Sequence, residues 1–204
     1  MTVTLHRNDL PDGLDLGPTI AVDSETMGLD PRRDRLCVVQ LSAGDGTAHL
    51  VQLDQGVTHA PRLASQLGDP ARLKLFHYAR FDVAVLEQRL GIRATPLFCT
   101  KIASRLVRTY TDRHGLKDLC RELLGIDLVK TEQSSDWGAE QLSDAQQRYA
   151  AQDVLHLHAL RQRLEVMLER EARLDLAQSC FDFLPTRVAL DLAGWPDIDL
   201  FAHS

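Results

Sequence analysis

Short apolar runs separated by turn residues fill the first half of the chain and predict β-strands. The five predicted strands cover residues 19–23, 36–42, 47–53, 73–76 and 97–99. Asp45 and Gly46 form a turn signal between the second and third strands, which predicts an antiparallel hairpin. Helices are predicted at residues 61–67, at 81–90 and from Thr100 onward. This order predicts an α/β fold, with a mixed sheet flanked by helices.

The second half of the chain has the apolar spacing of helices. Ser143 and Gln146 form a capping box, which predicts a helix start at this point. One long helix is expected to follow, with an apolar stripe that passes through Leu157, Leu160, Leu164 and Met167. Four-residue steps backward along this stripe reach Asp153 and Tyr149. Asp153 is therefore expected on the inward face, where it either bonds backbone amides or has a chemical role.

Composition restricts the class of protein. The chain has 204 residues with 44% hydrophobic and 25% charged residues, which is typical of one globular domain. The net charge of -6 has the wrong sign for holding long nucleic acid by phosphate neutralisation alone. A polyanionic substrate must therefore be short, or be met by metal ions or a local basic patch.

No targeting or membrane segment is apparent in the sequence. Apolar runs are too short for a membrane span, and the first fifteen residues lack the core of a signal peptide. We therefore expect a cytoplasmic protein without a membrane partner. The four cysteines form no C-x-x-C pair and are expected to be buried small side chains.

Four acids occur in an order that a mixed sheet can bring together. Asp23 and Glu25 end the first predicted strand and point to the same side, and Asp82 opens the helix after the fourth predicted strand. Together with Asp153 they form a set of hard oxygen ligands, which indicates two divalent metal ions, Mg²⁺ or Mn²⁺. Tyr149, one helical turn before Asp153, is placed to orient or deprotonate an attacking water. Each acid taken alone also has an ordinary structural explanation.

The segments IAVDSET, HYARFD and YAAQD resemble the three motifs of the DEDD superfamily of 3′-5′ exonucleases, in its ribonuclease D-like branch. Tyr149 stands four residues before the final Asp, as in the tyrosine branch of that superfamily. The histidine branch has histidine five residues before it, where this chain has Arg148. The resemblance implies catalysis by Asp23, Glu25, Asp82, Tyr149 and Asp153, with the four acids as metal ligands.

Longer segments, among them FCTKIASRLVRTYTDRHGLKDLC and FLPTRVALDLAGWPDIDLFAHS, are similar to the nano-RNase C group across nearly the full length. This resemblance implies a ribonuclease H-like exonuclease fold with a mixed five-stranded sheet. It also implies hydrolysis of very short RNA, down to dinucleotides such as pGpG, and a ring of eight subunits. Ribonuclease D itself carries further helical domains, which the chain is too short to hold.

Substrate-binding residues are expected at two places. Near the acids these are Thr26, Met27, Gly28, Leu29, His77 and Tyr78, with Leu29 or Met27 as a wedge beside the terminal bases by analogy with similar exonucleases. Leu29 packing its own turn and His77 as a structural histidine are the alternatives. The second place is the stretch from Lys101 to Arg121, where six basic and two acidic residues give a local net charge of +4. A clamp for a terminal phosphate is predicted there, against a merely solvated helix face, from Lys101, Arg108, Tyr110, Arg113 and His114.

The domain prediction is an exonuclease domain at residues 1–183 and a C-terminal extension at 184–204. Pro185 and the Gly194-Trp195-Pro196 segment argue against one continuous helix, so the apolar tail is expected as an extended strip on its own domain or on a neighbouring subunit. Three other functions remain open. They are a ribonuclease D-like exonuclease on longer RNA or DNA, an inactive nucleic-acid-binding module, and a haloacid-dehalogenase-like or receiver phosphoryl-transfer protein.

Overall fold

The computed structural model describes residues 1–129 and 135–203. The strands are β1 (Thr2–Arg7), β2 (Thr19–Thr26), β3 (Leu36–Ser42), β4 (Thr47–Gln52), β5 (Leu73–Phe76) and β6 (Leu97–Cys99). The helices are α1 (Pro61–Leu67), α2 (Ala79–Leu90), α3 (Thr100–Val107), α4 (Leu116–Leu119), α5 (Asp144–Leu155), α6 (Leu157–Arg170) and α7 (Leu174–Leu192). A π-helical turn, Cys120–Leu124, continues α4.

The six strands form one mixed sheet in the order β1-β4-β3-β2-β5-β6. β2 and β3, and β3 and β4, pair antiparallel. β5 runs parallel to β2, and β6 runs parallel to β5. The five predicted strands and the hairpin between β3 and β4 are confirmed.

The predicted count of five strands was too low, because β1 adds a sixth. This strand lies at the sheet edge, parallel to β4, with a register from Thr2 opposite Thr47 to Arg7 opposite Gln52. None of its six side chains is fully buried. An edge strand needs no continuous apolar run, so the pattern that marks the inner strands is missing here.

The core lies on both sides of β3, whose seven residues are all buried. Val39 and Leu41 belong to one hydrophobic cluster, and Val38 belongs to a second one with Leu50 and Ala150. Alternate side chains of a strand point to opposite faces, so β3 supplies two cores. Helix α5 packs on β2, β3 and β4, and this contact holds the C-terminal half of the chain over the sheet.

The capping box at Ser143 is confirmed, since its hydroxyl accepts from the Gln146 amide and the Gln146 side chain accepts from the Ser143 amide. The prediction of a single long helix was wrong. The chain breaks at His156 (φ -106°, ψ -4°), so that α5 packs on the sheet while α6 packs on α3. No glycine or proline marks this break, and the apolar period runs through it. The tertiary contacts of α5 and α6 therefore determine where the helix breaks.

Helix α7 corrects the prediction for the tail. The helix continues through Pro185 to Leu192, and the predicted domain boundary falls inside it. Proline inside a helix costs about 3 kcal/mol. Burial of Phe181, Leu184 and Val188, in a helix that packs on α2, offsets that cost. After Gly194 the chain turns, and Trp195, Ile198, Leu200 and Phe201 stay exposed.

Two smaller expectations concern cysteines and membranes. Cys37, Cys99 and Cys120 are buried as predicted, whereas Cys180 is only half-buried. Among the described residues, no helix has the combined length and apolar character that crossing a lipid bilayer requires.

Candidate active site

The first two acids stand at the carboxyl end of β2. Asp23 lies opposite Gln40 and Glu25 opposite Val38 on β3, so both carboxylates lie on the same face of the sheet. The register shifts between Glu25 and Thr26. A bulge at this point bends the strand after the second acid, and pairing continues with Thr26 opposite Leu36.

Asp82 reaches the same region from the first turn of α2. Its side chain is buried, with 3% exposure, and Oδ1 accepts a 2.6 Å hydrogen bond from the hydroxyl of Ser24. Ser24 lies between Asp23 and Glu25 on β2, so this bond ties the two elements that carry three of the four acids. Asp82 is close enough to Asp23 for its charge to raise the pKa of that carboxyl.

Helix α5 supplies the last acid. One carboxylate oxygen each from Asp23, Glu25 and Asp153 lie within 4.8 Å of one another. No other group of three metal-ligating side chains is found among residues 1–129 and 135–203. The structure therefore brings together the acids that the sequence singled out, three as a compact set and Asp82 beside them.

The electrostatics of these acids call for a cation. Burial, with the repulsion of Asp82, Asp153 and Glu25, raises the pKa of Asp23 well above its usual range. Burial and the Asp153 charge raise the pKa of Glu25 to about 9. Burial likewise raises the pKa of Asp82 to about 7, although the Ser24 hydrogen bond acts in the opposite direction. Crowded carboxylates of this kind either hold protons or hold a positive ion, and a hard oxygen set of this geometry fits Mg²⁺ or Mn²⁺.

Tyr149 lies one helical turn before Asp153, with its ring centre 6.0 Å from that of Trp137. Burial, followed by the Asp153 charge, raises the pKa of the phenol. A neutral phenol donates a hydrogen bond and is a poor base. With the carboxylates uncompensated the phenol is therefore neutral, which suits orientation of a water, one of the two roles that the sequence left open.

A cavity of about 680 Å³ opens above the acids. Five predicted substrate-binding residues line it, namely Thr26, Met27, Gly28, Leu29 and His77. The other six do not: Tyr78, Lys101, Arg108, Tyr110, Arg113 and His114. The residues predicted near the acids therefore lie at the cavity, except Tyr78, whereas none of the residues predicted for the phosphate clamp lines it.

The segment after β2 presents apolar side chains at the cavity. Leu29 is 88% exposed and Met27 is 53% exposed, so Leu29 packs little of its own turn. Gly28 is required by a close approach, because a Cβ at this position would lie 2.2 Å from Oδ2 of Asp34. Asp34 is itself held by the Asp30 amide and by Arg33. The close approach of Asp34 is therefore a reason within the loop itself for glycine at this position.

His77 has a defined tautomer. The Thr100 hydroxyl donates to the carbonyl of Phe76, so His77 Nδ1, 2.9 Å from that hydroxyl oxygen, must be the donor. Burial, with a contribution from Lys101, lowers the pKa of His77 to about 3. The ring is therefore neutral, and Nε2 is an acceptor.

Tyr78 and Lys101 contact each other instead of lining the cavity. Tyr78 adopts a left-handed conformation (φ 73°) immediately before α2. The ammonium of Lys101 lies 4.4 Å from the centre of its ring, a cation-π contact.

The structure contradicts the prediction that Arg108 belongs to a phosphate clamp. Its side chain is 0% exposed, and its guanidinium donates to Glu122, to Ser104 Oγ and to the carbonyl of Arg113. A guanidinium committed to these partners holds the 104–122 segment together. It offers nothing to a phosphate in the cavity.

The remaining clamp residues lie on the turn that leads to the cavity. Tyr110 is exposed and donates to Glu122, and His114 Nδ1 lies 2.9 Å from Ser104 Oγ. Arg113 is exposed. The next residues, Gly115 and Leu116, line the cavity.

Other cavity residues were missed by the sequence reasoning. They include Ser24, Phe81, Leu116, Lys117, Leu128, Trp137 and Gln152. Lys117 is the only lysine or arginine among the described residues that line the cavity. The position of Lys117 in the basic stretch could have indicated its role. Trp137 precedes α5 in a segment without a regular apolar period, so the sequence carried no signal for its role.

Comparison with known proteins identifies the family. Residues 9–169 match the 3′-5′ exonuclease family. The chain belongs to this family. Ribonuclease D from Gluconacetobacter diazotrophicus is 35% identical over 179 residues, which are 88% of this chain and 45% of the relative. The chain thus spans less than half the length of that ribonuclease D.

Two solved structures match this exonuclease along their full length. NrnC from Brucella melitensis bound to pGG is 56% identical, with a TM-score of 0.97 and full coverage of both chains. NrnC from the same organism with bound Mg²⁺ is 55% identical, with a TM-score of 0.96. The chain is thus related to ribonuclease D and to NrnC within this family, and its fold is ribonuclease H-like, as the resemblance implied.

Proposed function

We propose that this exonuclease hydrolyses very short RNA, down to dinucleotides such as pGpG, from the 3′ end and releases nucleoside 5′-monophosphates. The observation that carries this proposal is the set of acids Asp23, Glu25 and Asp153 from β2 and α5 at one cavity, with Asp82 of α2 buried beside them. Exonuclease chemistry requires charge stabilisation at a phosphodiester, and these acids can hold the necessary cations. The match to NrnC with bound pGG supports the substrate class.

Asp23, Glu25, Asp82 and Asp153 are the proposed ligands of two divalent ions, Mg²⁺ or Mn²⁺. Such ions supply charge neutralisation at the attacking and leaving oxygens of the phosphate. Mg²⁺ in the NrnC structure supports the ion type. Tyr149 is the proposed group that donates a hydrogen bond and holds the attacking water in line.

The rest of the cavity suits the end of a short single strand. Leu29 and Met27 present exposed apolar surface against which unpaired bases can stack. His77 Nε2 is the proposed acceptor for a ribose hydroxyl, because its other ring nitrogen donates to Thr100. An acceptor of this kind favours RNA over DNA.

The terminal phosphate has fewer candidate partners than the sequence suggested. Lys117 lies in the cavity wall, and Arg113 and His114 stand on the turn that leads to it. We assign the 5′ phosphate to Lys117 first, with Arg113 and His114 at the cavity mouth. Tyr110 is engaged with Glu122, and Arg108 is buried. One cationic side chain at a fixed distance from the acids limits the length of a well-bound substrate.

We further propose that residues 1–183 carry the exonuclease activity and that residues 184–204 serve self-association into a homo-octameric ring. Exposed apolar side chains at Phe183, Trp195, Ile198 and Phe201 support an interface in this region. Closed symmetry repeats one interface in every subunit.

The test uses 5′-labelled RNAs of two to twenty nucleotides with DNA of the same sequences. Fastest cleavage of the dinucleotide RNA, dependent on added Mg²⁺ or Mn²⁺, is the expected result. Faster cleavage of the twenty-mer per end contradicts it and favours a ribonuclease D-like exonuclease on longer RNA or DNA. Hydrolysis of none of them, with RNA still bound, indicates an inactive binding module.

A further inference from the structure

Gln40 is a buried amide whose polar atoms have no hydrogen-bond partner among residues 1–129 and 135–203. The side chain is 0% exposed and lies in the middle of β3. Burying an unpartnered amide costs about 1–3 kcal/mol. An apolar residue of the same size would avoid this cost, so the amide needs an explanation.

The sheet register places Gln40 directly beside the acids. It is the antiparallel partner of Asp23 on β2 and of Leu50 on β4. Directly opposed side chains share one face with their Cβ atoms about 5 Å apart. Gln40 therefore lies in the same layer as the Asp23 and Glu25 carboxylates, beneath α5.

A second unpartnered donor lies in this layer. Trp137 is buried, and its Nε1 has no partner in the described residues. Trp137 and Leu50, the strand partner of Gln40, belong to the same cluster with Ala150 of α5. Buried polar groups that protein atoms do not satisfy are commonly joined by ordered water.

We propose that Gln40 is a positioning residue for the metal site, whose amide donates through a buried water to the carboxylate of Asp23 and fixes its orientation. The inference rests on the proposed function, since it takes the acids as metal ligands. Residues that hydrogen-bond to a metal-ligating carboxylate increase the metal affinity of the site, and their loss typically weakens metal binding 10- to 100-fold. Gln40 does not contact substrate in this proposal.

The experiment compares Gln40→Met with Gln52→Met in the full chain. Gln52 is a matched control, because it lies on the same face of the neighbouring strand and is also buried, with 3% exposure. Its amide donates to the carbonyl of Ala139, so it is already satisfied. Mn²⁺ binding is measured by titration calorimetry, and metal-free stability by thermal unfolding.

Gln40→Met is expected to bind Mn²⁺ about tenfold more weakly, while its metal-free thermal midpoint is equal to or above that of the unaltered chain. Gln52→Met is expected to show the reverse, a lower midpoint and unchanged Mn²⁺ affinity. Should Gln40→Met not fold, Gln40→Leu takes its place.

Two outcomes contradict the inference and can be told apart. Equal Mn²⁺ affinity in the unaltered chain and in Gln40→Met overturns the role of Gln40 and leaves the proposed function standing. No Mn²⁺ binding by the unaltered chain overturns both.

Discussion

The hydroxyl of Ser24 donates a 2.6 Å hydrogen bond to Oδ1 of Asp82, across the gap between β2 and α2. Burial raises the pKa of Asp82 to about 7, and this bond acts against that rise. A hydrogen bond to a carboxylate favours its ionised form. Ser24 lies between Asp23 and Glu25, and its side chain points to the opposite face of the sheet from theirs. Its hydrogen bond thus helps Asp82 to stay ionised and able to meet a cation.

Replacement of Ser24 by Ala is expected to raise the pKa of Asp82. At pH 7 a larger fraction of Asp82 is then protonated, so Mg²⁺ affinity should fall by about tenfold. At pH 9 the loss should be smaller, because Asp82 is ionised in both proteins. Calorimetric Mg²⁺ titrations at the two pH values measure this difference. Ser42→Ala is the control, since Ser42 is also buried but donates to the Thr47 carbonyl at the β3-β4 turn. A loss of equal size at both pH values would contradict the prediction.

The metal-free protein is expected to lose stability as pH rises from 7 to 8. Burial raises the pKa of Glu25 to about 9 in the folded chain, while the unfolded chain ionises this group near pH 4.5. The folded state therefore keeps a proton that the unfolded state has lost, and the free energy of unfolding falls with pH until the folded group ionises. The expected fall is on the order of 1 kcal/mol per pH unit, or about 3 °C in the thermal midpoint.

Thermal unfolding in EDTA at the two pH values measures this slope. Glu25→Gln should make this slope shallower, because the neutral amide does not titrate while Asp23 and Asp82 still do. Saturating Mg²⁺ should raise the midpoint more at pH 8 than at pH 7. A midpoint that rises with pH in the absence of metal would argue against buried, crowded carboxylates.

Much of the site was predictable because its acids occupy positions that strand and helix periodicity assign to particular faces. Asp23 and Glu25 follow an apolar strand, and Asp153 falls on the inward stripe of a capped helix, so their convergence follows from periodicity. Arg108 shows the limit of such reasoning. Its helical spacing is compatible both with an exposed basic face and with a buried ion pair. Only the position of Glu122, fourteen residues later in the chain, shows that Arg108 forms the ion pair.

Elements of the fold that depend on long-range contacts were not predictable. β1 becomes a strand because β4 offers a free edge, and α5 separates from α6 because each half packs on a different surface. Pro185 continues a helix because α2 covers that helix. None of these causes is local in sequence.

Tyr149→Phe is expected to lower turnover by about two to four orders of magnitude while metal affinity stays nearly unchanged. The phenol is kept neutral by burial and by Asp153, so its loss removes a hydrogen-bond donor and no ligand. The ring can still pack near Trp137, so folding should survive. Single-turnover hydrolysis of pGpG measures the effect. Tyr110→Phe serves as the control, because its hydroxyl donates to Glu122 outside the cavity. Near-normal turnover in Tyr149→Phe would make the hydroxyl a spectator.

Lys117→Met is expected to reduce the preference for pGpG over unphosphorylated GpG by about tenfold. Lys117 is the cationic side chain of the cavity wall, so its loss should matter only where a terminal phosphate is present. The ratio of kcat/KM values for the two dinucleotides measures the preference. Arg105→Met provides a matched loss of charge on an exposed part of α3. An equal effect of both variants would indicate a general attraction of charge, and no effect of Lys117→Met would move the phosphate to Arg113 and His114.

The tail after α7 is expected to join subunits. Arg80 donates to Asp191 and to the carbonyl of Pro196, and Arg187 donates to the carbonyls of Trp195 and Ile198. These bonds pin the turn in place, yet Phe201 is 81% exposed. A segment that is fixed by charged groups and still presents aromatic surface gains its burial from another molecule.

Phe201→Asp should therefore lower the mass measured by light scattering at micromolar concentration from several times 22.8 kDa towards that of one chain. Removal of residues 195–204 should have the same effect. Val166→Asp is the control, since Val166 is an apolar residue of α6 rather than of the tail and is 64% exposed. Phe183 contacts Phe201 with ring centres 6.1 Å apart, so Phe183→Asp should act in the same direction. If the unaltered chain has the mass of a monomer and cleaves pGpG at the full rate, the exposed tail is not an interface, and substrate length is set within one cavity by Lys117 and the acids.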